Sequence, residues 1–169
     1  MPQGGPVCIP LSSENVKTCA SQAWKEVRPI AESLPKPKFS TLARFFPTDA
    51  CTAPIDAAVL ELKVRLSFSK VFYFFTWRSI KSQPTDAQLP VQTSAYKIGG
   101  FVFFSGRSQV GQNPQNPQNF TIMIPLYIDG EIYVDGLALH VDHYYCITRK
   151  CDIDVSRDAK LVALVIDFE

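Results

Sequence analysis

The chain has 169 residues, 17 Lys and Arg against 16 Asp and Glu, and five cysteines. That length suits one domain burying roughly two-thirds of the surface its unfolded form exposes, without a disulfide framework. The even charge excludes a strongly basic tail, and with it nucleic-acid binding driven by a run of cations; five scattered thiols, Cys8, Cys19, Cys51, Cys146 and Cys151, read as reduced, buried residues of an intracellular protein.

Residues 1–15 carry no basic leader followed by an apolar core, so no signal peptide is expected. The most apolar windows, 71–75 and 161–166, fall far short of the roughly 20 residues a membrane helix needs, which predicts a soluble chain with no membrane partner. Ser13 can cap a helix in which Val16, Ala20, Ala23, Trp24 and Val27 recur at helical spacing. Pro29 is expected to end or kink it, and Pro35-Lys36-Pro37-Lys38 to run as an extended connector. Residues 1–46 hold six cations, Lys17, Lys25, Arg28, Lys36, Lys38 and Arg44, against Glu14, Glu26 and Glu32, a net +3. The stretch 1–53 therefore reads as an N-terminal arm with one short helix, and 54–169 as the folded domain.

In residues 60–68, Leu60, Leu62, Val64, Leu66 and Phe68 alternate with Glu61, Lys63, Arg65 and Ser67, the period of a half-buried strand. Residues 71–77, VFYFFTW, favour a pleated surface. A polar loop is expected over 81–92, which contains Pro84, Asp86 and Pro90. Residues 96–105 form a strand in which Gly99-Gly100 suggests a bulge or a close backbone approach. The repeated Asn-Pro-Gln of 113–118 marks 106–119 as a second long loop. Strands 120–128 and 131–134 are expected to be joined by a tight hairpin turn at Asp129-Gly130, and a further turn at Asp135-Gly136 leads into 137–148. The closing run LVALVIDF, 161–168, reads as an interior strand covered on both faces.

Seven or eight strands without alternating helices predict an all-β chain, a single antiparallel β-sandwich, and within that class a jelly roll of about eight strands. Chemistry is sparse. His140 and His143, with Asp142, Cys146 and Cys151, offer ligands of the kinds zinc uses. On one strand, residues 140 and 143 would point to opposite faces, so no metal site is expected. No phosphate loop, activated cysteine or cofactor motif is present, and Asp129 and Asp135 sit on turns that favour aspartate for local reasons. This points away from an enzyme. Phe72, Tyr73, Phe74, Phe75 and Trp77, with Phe101, Phe103 and Phe104, exceed what one sheet face absorbs and suggest subunit contact.

The strand from Leu60, the aromatic strand ending in Trp77, the run YKIGGFVF (96–103), Ile124-Pro125-Leu126 and the terminal LVALVIDF together resemble the jelly-roll coat proteins of small icosahedral plant RNA viruses. The tymovirus-like and satellite-virus groups are nearest. The resemblance implies a capsid protein that self-assembles in the host cytoplasm into a closed virion shell around RNA, with no catalytic residue and no cofactor. It further implies an arm facing the particle interior, with Lys17, Lys25, Arg28, Lys36, Lys38 and Arg44 as nucleic-acid contacts. The wet face of the strand from Leu60, carrying Glu61, Lys63 and Arg65, would meet a neighbouring subunit together with Trp77. The alternative is a non-viral β-sandwich binding module, lectin-like or trimeric, that holds its ligand with loops 81–92 and 106–119.

Overall fold

The computed structural model describes residues 7–68, 96–112 and 120–168. The expected strand 71–77, the loop 81–92, the Asn-Pro-Gln repeat and Trp77 lie outside the described residues. The sequence folds in the order β1 (Cys8–Ser12), α1 (Glu14–Ser33), β2 (Leu42–Phe45), a 3-10 turn (Asp49–Cys51), α2 (Thr52–Phe68), β3 (Tyr96–Val110), β4 (Phe120–Asp129), β5 (Ile132–Val134), β6 (Leu137–Ala138), β7 (His143–Ile147) and β8 (Cys151–Phe168). The eight strands make one antiparallel sheet, β1-β7-β4-β8-β3-β2, with β5 paired to β6 and β8. The expected class, predominantly antiparallel β and sandwich-like with an N-terminal helix, is the class observed.

Helix α1 starts where the capping chemistry requires: the Val16 N–H donates to Ser13 Oγ at 3.2 Å, satisfying one of the first-turn amides. Val16, Ala20, Ala23, Val27 and Ala31 form one buried stripe. Pro29 does not end the helix, which runs on to Ser33. Proline removes one amide donor, and packing of Val27 and Ala31 on either side of it holds the turn together. The connector beyond Leu34 is free of regular structure, as expected.

The segment 60–68 is not a strand. It is the second half of α2, and the reason lies upstream: Ile55, Ala58, Val59 and Leu62 are buried at helical spacing, whereas Leu60 is 64% exposed. Leu, Glu, Lys and Arg are strong helix formers, so the alternating letters carry no local penalty in a helix. Pro54 falls in the first turn, where its missing amide costs nothing. The period-two pattern begins within a helical stripe that starts five residues upstream, at Ile55.

Both faces of the sheet are buried. On one, α1 and α2 cover Val102, Ile122, Ile124, Tyr144, Cys146, Val162, Leu164 and Ile166. Residues 7–53 thus add two strands and a helix to the common core instead of extending from it as an arm. On the other face, Met123, Tyr145, Ile147, Leu161, Ala163 and Val165 cluster with Ile132, Val134, Ile153 and Val155. β8 lies between β4 and β3, the interior position expected for LVALVIDF.

The second face is covered where the strands bend. β3 shifts register between Phe104 and Gly106, Asp158 of β8 has φ 62°, and Gly130 between β4 and β5 has φ 82°. These irregularities lie at one level, since Asp129 pairs with Lys160 and Ile132 with Val155. The Asp129-Gly130 turn is therefore not the expected hairpin: β4 and β5 follow the same edge of β8 as one interrupted strand, and a Cβ on Gly130 would lie 2.7 Å from that of Ala159. Across the bend β3 and β8 continue past their expected ends, so 106–110 is strand where a loop is predicted and β8 begins at Cys151. The second turn does form as expected, with Asp135 and Gly136 both at positive φ between the paired Val134 and Leu137. The stretch 137–148 is two short strands separated by residues 139–142.

Candidate nucleic-acid interface

The expected cations divide into two groups. On α1, Lys17 sits 3.6 Å from Glu14, and Arg28 donates to Glu32 at 2.7 Å, a contact that holds its guanidinium above the ordinary value. Lys25 is exposed on the same helix. All three are solvated helix-surface charges, and Lys17 and Arg28 have i,i+3 and i,i+4 partners. Lys36, Lys38 and Arg44 differ: all three are exposed, and the sequence has no carboxylate between Glu32 and Asp49. Interleaved with them are Phe39, 101% exposed, and Phe46, 87% exposed. A fully exposed phenylalanine forfeits its hydrophobic stabilisation, and a pair bracketing one short strand is an apolar surface that demands a reason.

The backbone beneath this strip is held firmly. Thr41 carbonyl accepts from the Phe104 N–H at 2.8 Å, and Thr41 Oγ1 bonds the Arg107 carbonyl and the Ser108 hydroxyl. Gly106 at φ 128° has no side chain to obstruct the Thr41 methyl, 2.7 Å from where a Cβ would stand. β2 is an edge strand of the sheet. Because the Thr41 carbonyl faces β3, alternation turns the Leu42 amide and carbonyl outward. Ser40 Oγ accepts from that amide at 3.1 Å and donates to that carbonyl at 3.2 Å. The edge is thereby capped at Leu42 against addition of another strand, and side chains present the surface.

Arg44 stands opposite Phe101 in the ladder, its guanidinium 5.8 Å from the ring centroid. Phe101 can lie back along its strand because Gly99 has no Cβ for the ring to strike, and Phe45 uses Gly100 in the same way. The Gly99-Gly100 pair thus provides close approach, of two rings and not of backbone, and the bulge expected there lies farther along at 104–106. The signal missed in the sequence is Phe39 and Phe46, which flank the short β2 and are the two phenyl rings left in solvent among the described residues.

The expected subunit contacts lie elsewhere. Glu61 is on α2, half-buried, and accepts from the Tyr144 hydroxyl at 3.2 Å. Lys63 and Arg65 belong to the same helix, so no alternating strand edge carries them. All five cysteines are free thiols, four of them buried, and burial pushes Cys8, Cys146 and Cys151 up to about 12. His140 lies in the turn before β7 and His143 opens that strand, so the opposite-face argument does not apply to them. No helix among the described residues is long and apolar enough to cross a membrane. Neither the protein-family models nor the curated proteins compared with this chain give a match.

Proposed function

We infer that this protein is a coat-type structural subunit, a capsid protein whose copies assemble into a closed shell around RNA and whose strip 36–46 contacts that RNA. The observation that carries the reading is the strip itself: three exposed cations, two phenyl rings in solvent and no carboxylate, on a firmly hydrogen-bonded edge. Cations at Lys36, Lys38 and Arg44 neutralise phosphates, while Phe39 and Phe46 offer stacking surfaces worth about 1–3 kcal/mol per base. Stacking does not discriminate among bases, as packaging an entire genome requires. The resemblance of the strand strings to small icosahedral coat proteins supports the shell, and the action is assembly with no covalent step.

Fluorescence anisotropy with a labelled single-stranded RNA 12-mer, together with electron microscopy of the purified chain with and without RNA, tests this. Expected are closed particles and an affinity whose logarithm falls with log salt at a slope of about −2, as three phosphate contacts on a single strand imply. Phe39→Ala with Phe46→Ala should weaken binding by about tenfold or more at unchanged slope. A strictly monomeric chain over a broad range of pH and salt overturns the shell, and RNA affinity indifferent to these variants overturns the strip.

A further inference from the structure

We propose that His140 and His143 form a binding site for a divalent transition-metal ion of the imidazole-preferring kind, Cu2+ or Zn2+, with Asp142 as the group that orients one of the two ligands. This does not depend on the coat reading. The two ring centroids are 6.0 Å apart. An imidazole nitrogen binds such an ion at about 2.0–2.1 Å, which puts the ion roughly 3.2 Å from each ring centre and two ligating rings about 5 Å apart at the tetrahedral angle and no more than about 6.4 Å apart at any angle. The observed separation is inside that limit, and an approach of about 1 Å makes it tetrahedral.

The backbone holds both histidines in this relation. The His140 N–H donates to the hydroxyl of Tyr145 at 2.7 Å, that hydroxyl donates back to the His140 carbonyl at 3.4 Å, and the His143 N–H closes the turn onto the same carbonyl at 3.4 Å. Tyr145 is itself fully buried, so the anchor is part of the core. At His143, Nδ1 is 2.8 Å from Asp142 Oδ1. A carboxylate on Nδ1 fixes the proton there and leaves the lone pair on Nε2 for an ion, as with the carboxylate partners of metal-binding histidines. His140 is exposed and His143 half-buried, which leaves the pair open to an ion from solvent.

No group of three His, Cys, Asp or Glu among the described residues is placed to hold a metal ion. The site is therefore a two-imidazole chelate completed by water, with open positions. Such a donor set favours Cu2+ over Zn2+ and does not select Mg2+ or Ca2+, which prefer oxygen ligands. The buried thiols are poor competitors, because Cys8, Cys146 and Cys151 are protonated at neutral pH.

Isothermal titration of the full chain with Cu2+ and with Zn2+ at pH 7.5 is the test, with electron paramagnetic resonance of the copper form. Expected are one ion per chain, copper bound more tightly, and hyperfine splitting from two nitrogens. His140→Ala or His143→Ala should each lower affinity at least about tenfold, and Asp142→Asn by a smaller factor. Circular dichroism checks that each variant remains folded. Absence of saturable binding, or one ion still bound with both histidines replaced, overturns the proposal.

Discussion

The two faces of the sheet are buried by different means. One is covered by other elements: α1 lays Val16, Ala20, Ala23, Val27 and Ala31 on it, and α2 adds Ile55, Ala58, Val59 and Leu62. The other is covered by the sheet itself, which bends at Phe104–Gly106, Ser156–Ala159 and Gly130 so that Ile153 and Val155 join the cluster of Leu161, Ala163 and Val165 from the same strand. Cys151 of β8 lies close enough to Cys8 of β1 to add to the rise that burial gives the Cys8 thiol, although β7 and β4 stand between β1 and β8 in the sheet. A flat sheet would hold strands three places apart at about 14 Å. The helical cover rests on local devices such as a cap and a stripe of small residues, whereas the curled cover rests on backbone geometry at the bend.

The comparison can be broken at three depths. Truncating a fully buried residue on each face, Leu164→Ala under the helices and Ile153→Ala in the curled half, should cost about 2–5 kcal/mol each in urea unfolding. A cost under about 1 kcal/mol for Ile153→Ala alone would show that the curled half is not packed as a core. Next is Gly130→Val. It forces a branched side chain to positive φ with Ala159 in its path, at a cost of about 1–3 kcal/mol, and hydrogen exchange should rise across β5 and the first half of β8 while α1 is unaffected. Smallest is Ser13→Ala, about 1 kcal/mol for a lost cap, with faster exchange confined to the first turns of α1. Exchange that rises equally on both faces in the last two variants would merge them into one cooperative unit.

The candidate site was half legible. Lys36, Lys38 and Arg44 can be read from the sequence as cations, yet so can Lys17 and Arg28, and only the fold sets the last two beside Glu14 and Glu32. Nothing local to Phe39 or Phe46 says that they stay in solvent while Phe45 between them is buried. The relation of His140 to His143 was not legible for a similar reason: spacing on a strand decides which way side chains point only where a strand exists, and residues 139–142 lie between β6 and β7.

Determined by the sequence alone were the features whose cause is local or a long, unambiguous pattern: the cap and stripe of α1, the Asp135-Gly136 turn, the predominance of antiparallel strands, and the doubly covered interior strand at 161–168. Tertiary structure decided the rest. Residues 60–68 have a strand's alternation and a helix former's composition, and burial of Ile55, Ala58, Val59 and Leu62 against the sheet selected the helix. The length of β3 and β8 was hidden because glycine and aspartate at 106 and 158 read as loop residues, although at positive φ they are what allows paired strands to turn and continue. A nine-residue pattern reports the local preference of a segment; which face it buries depends on what packs there, and that is supplied by residues distant in the chain.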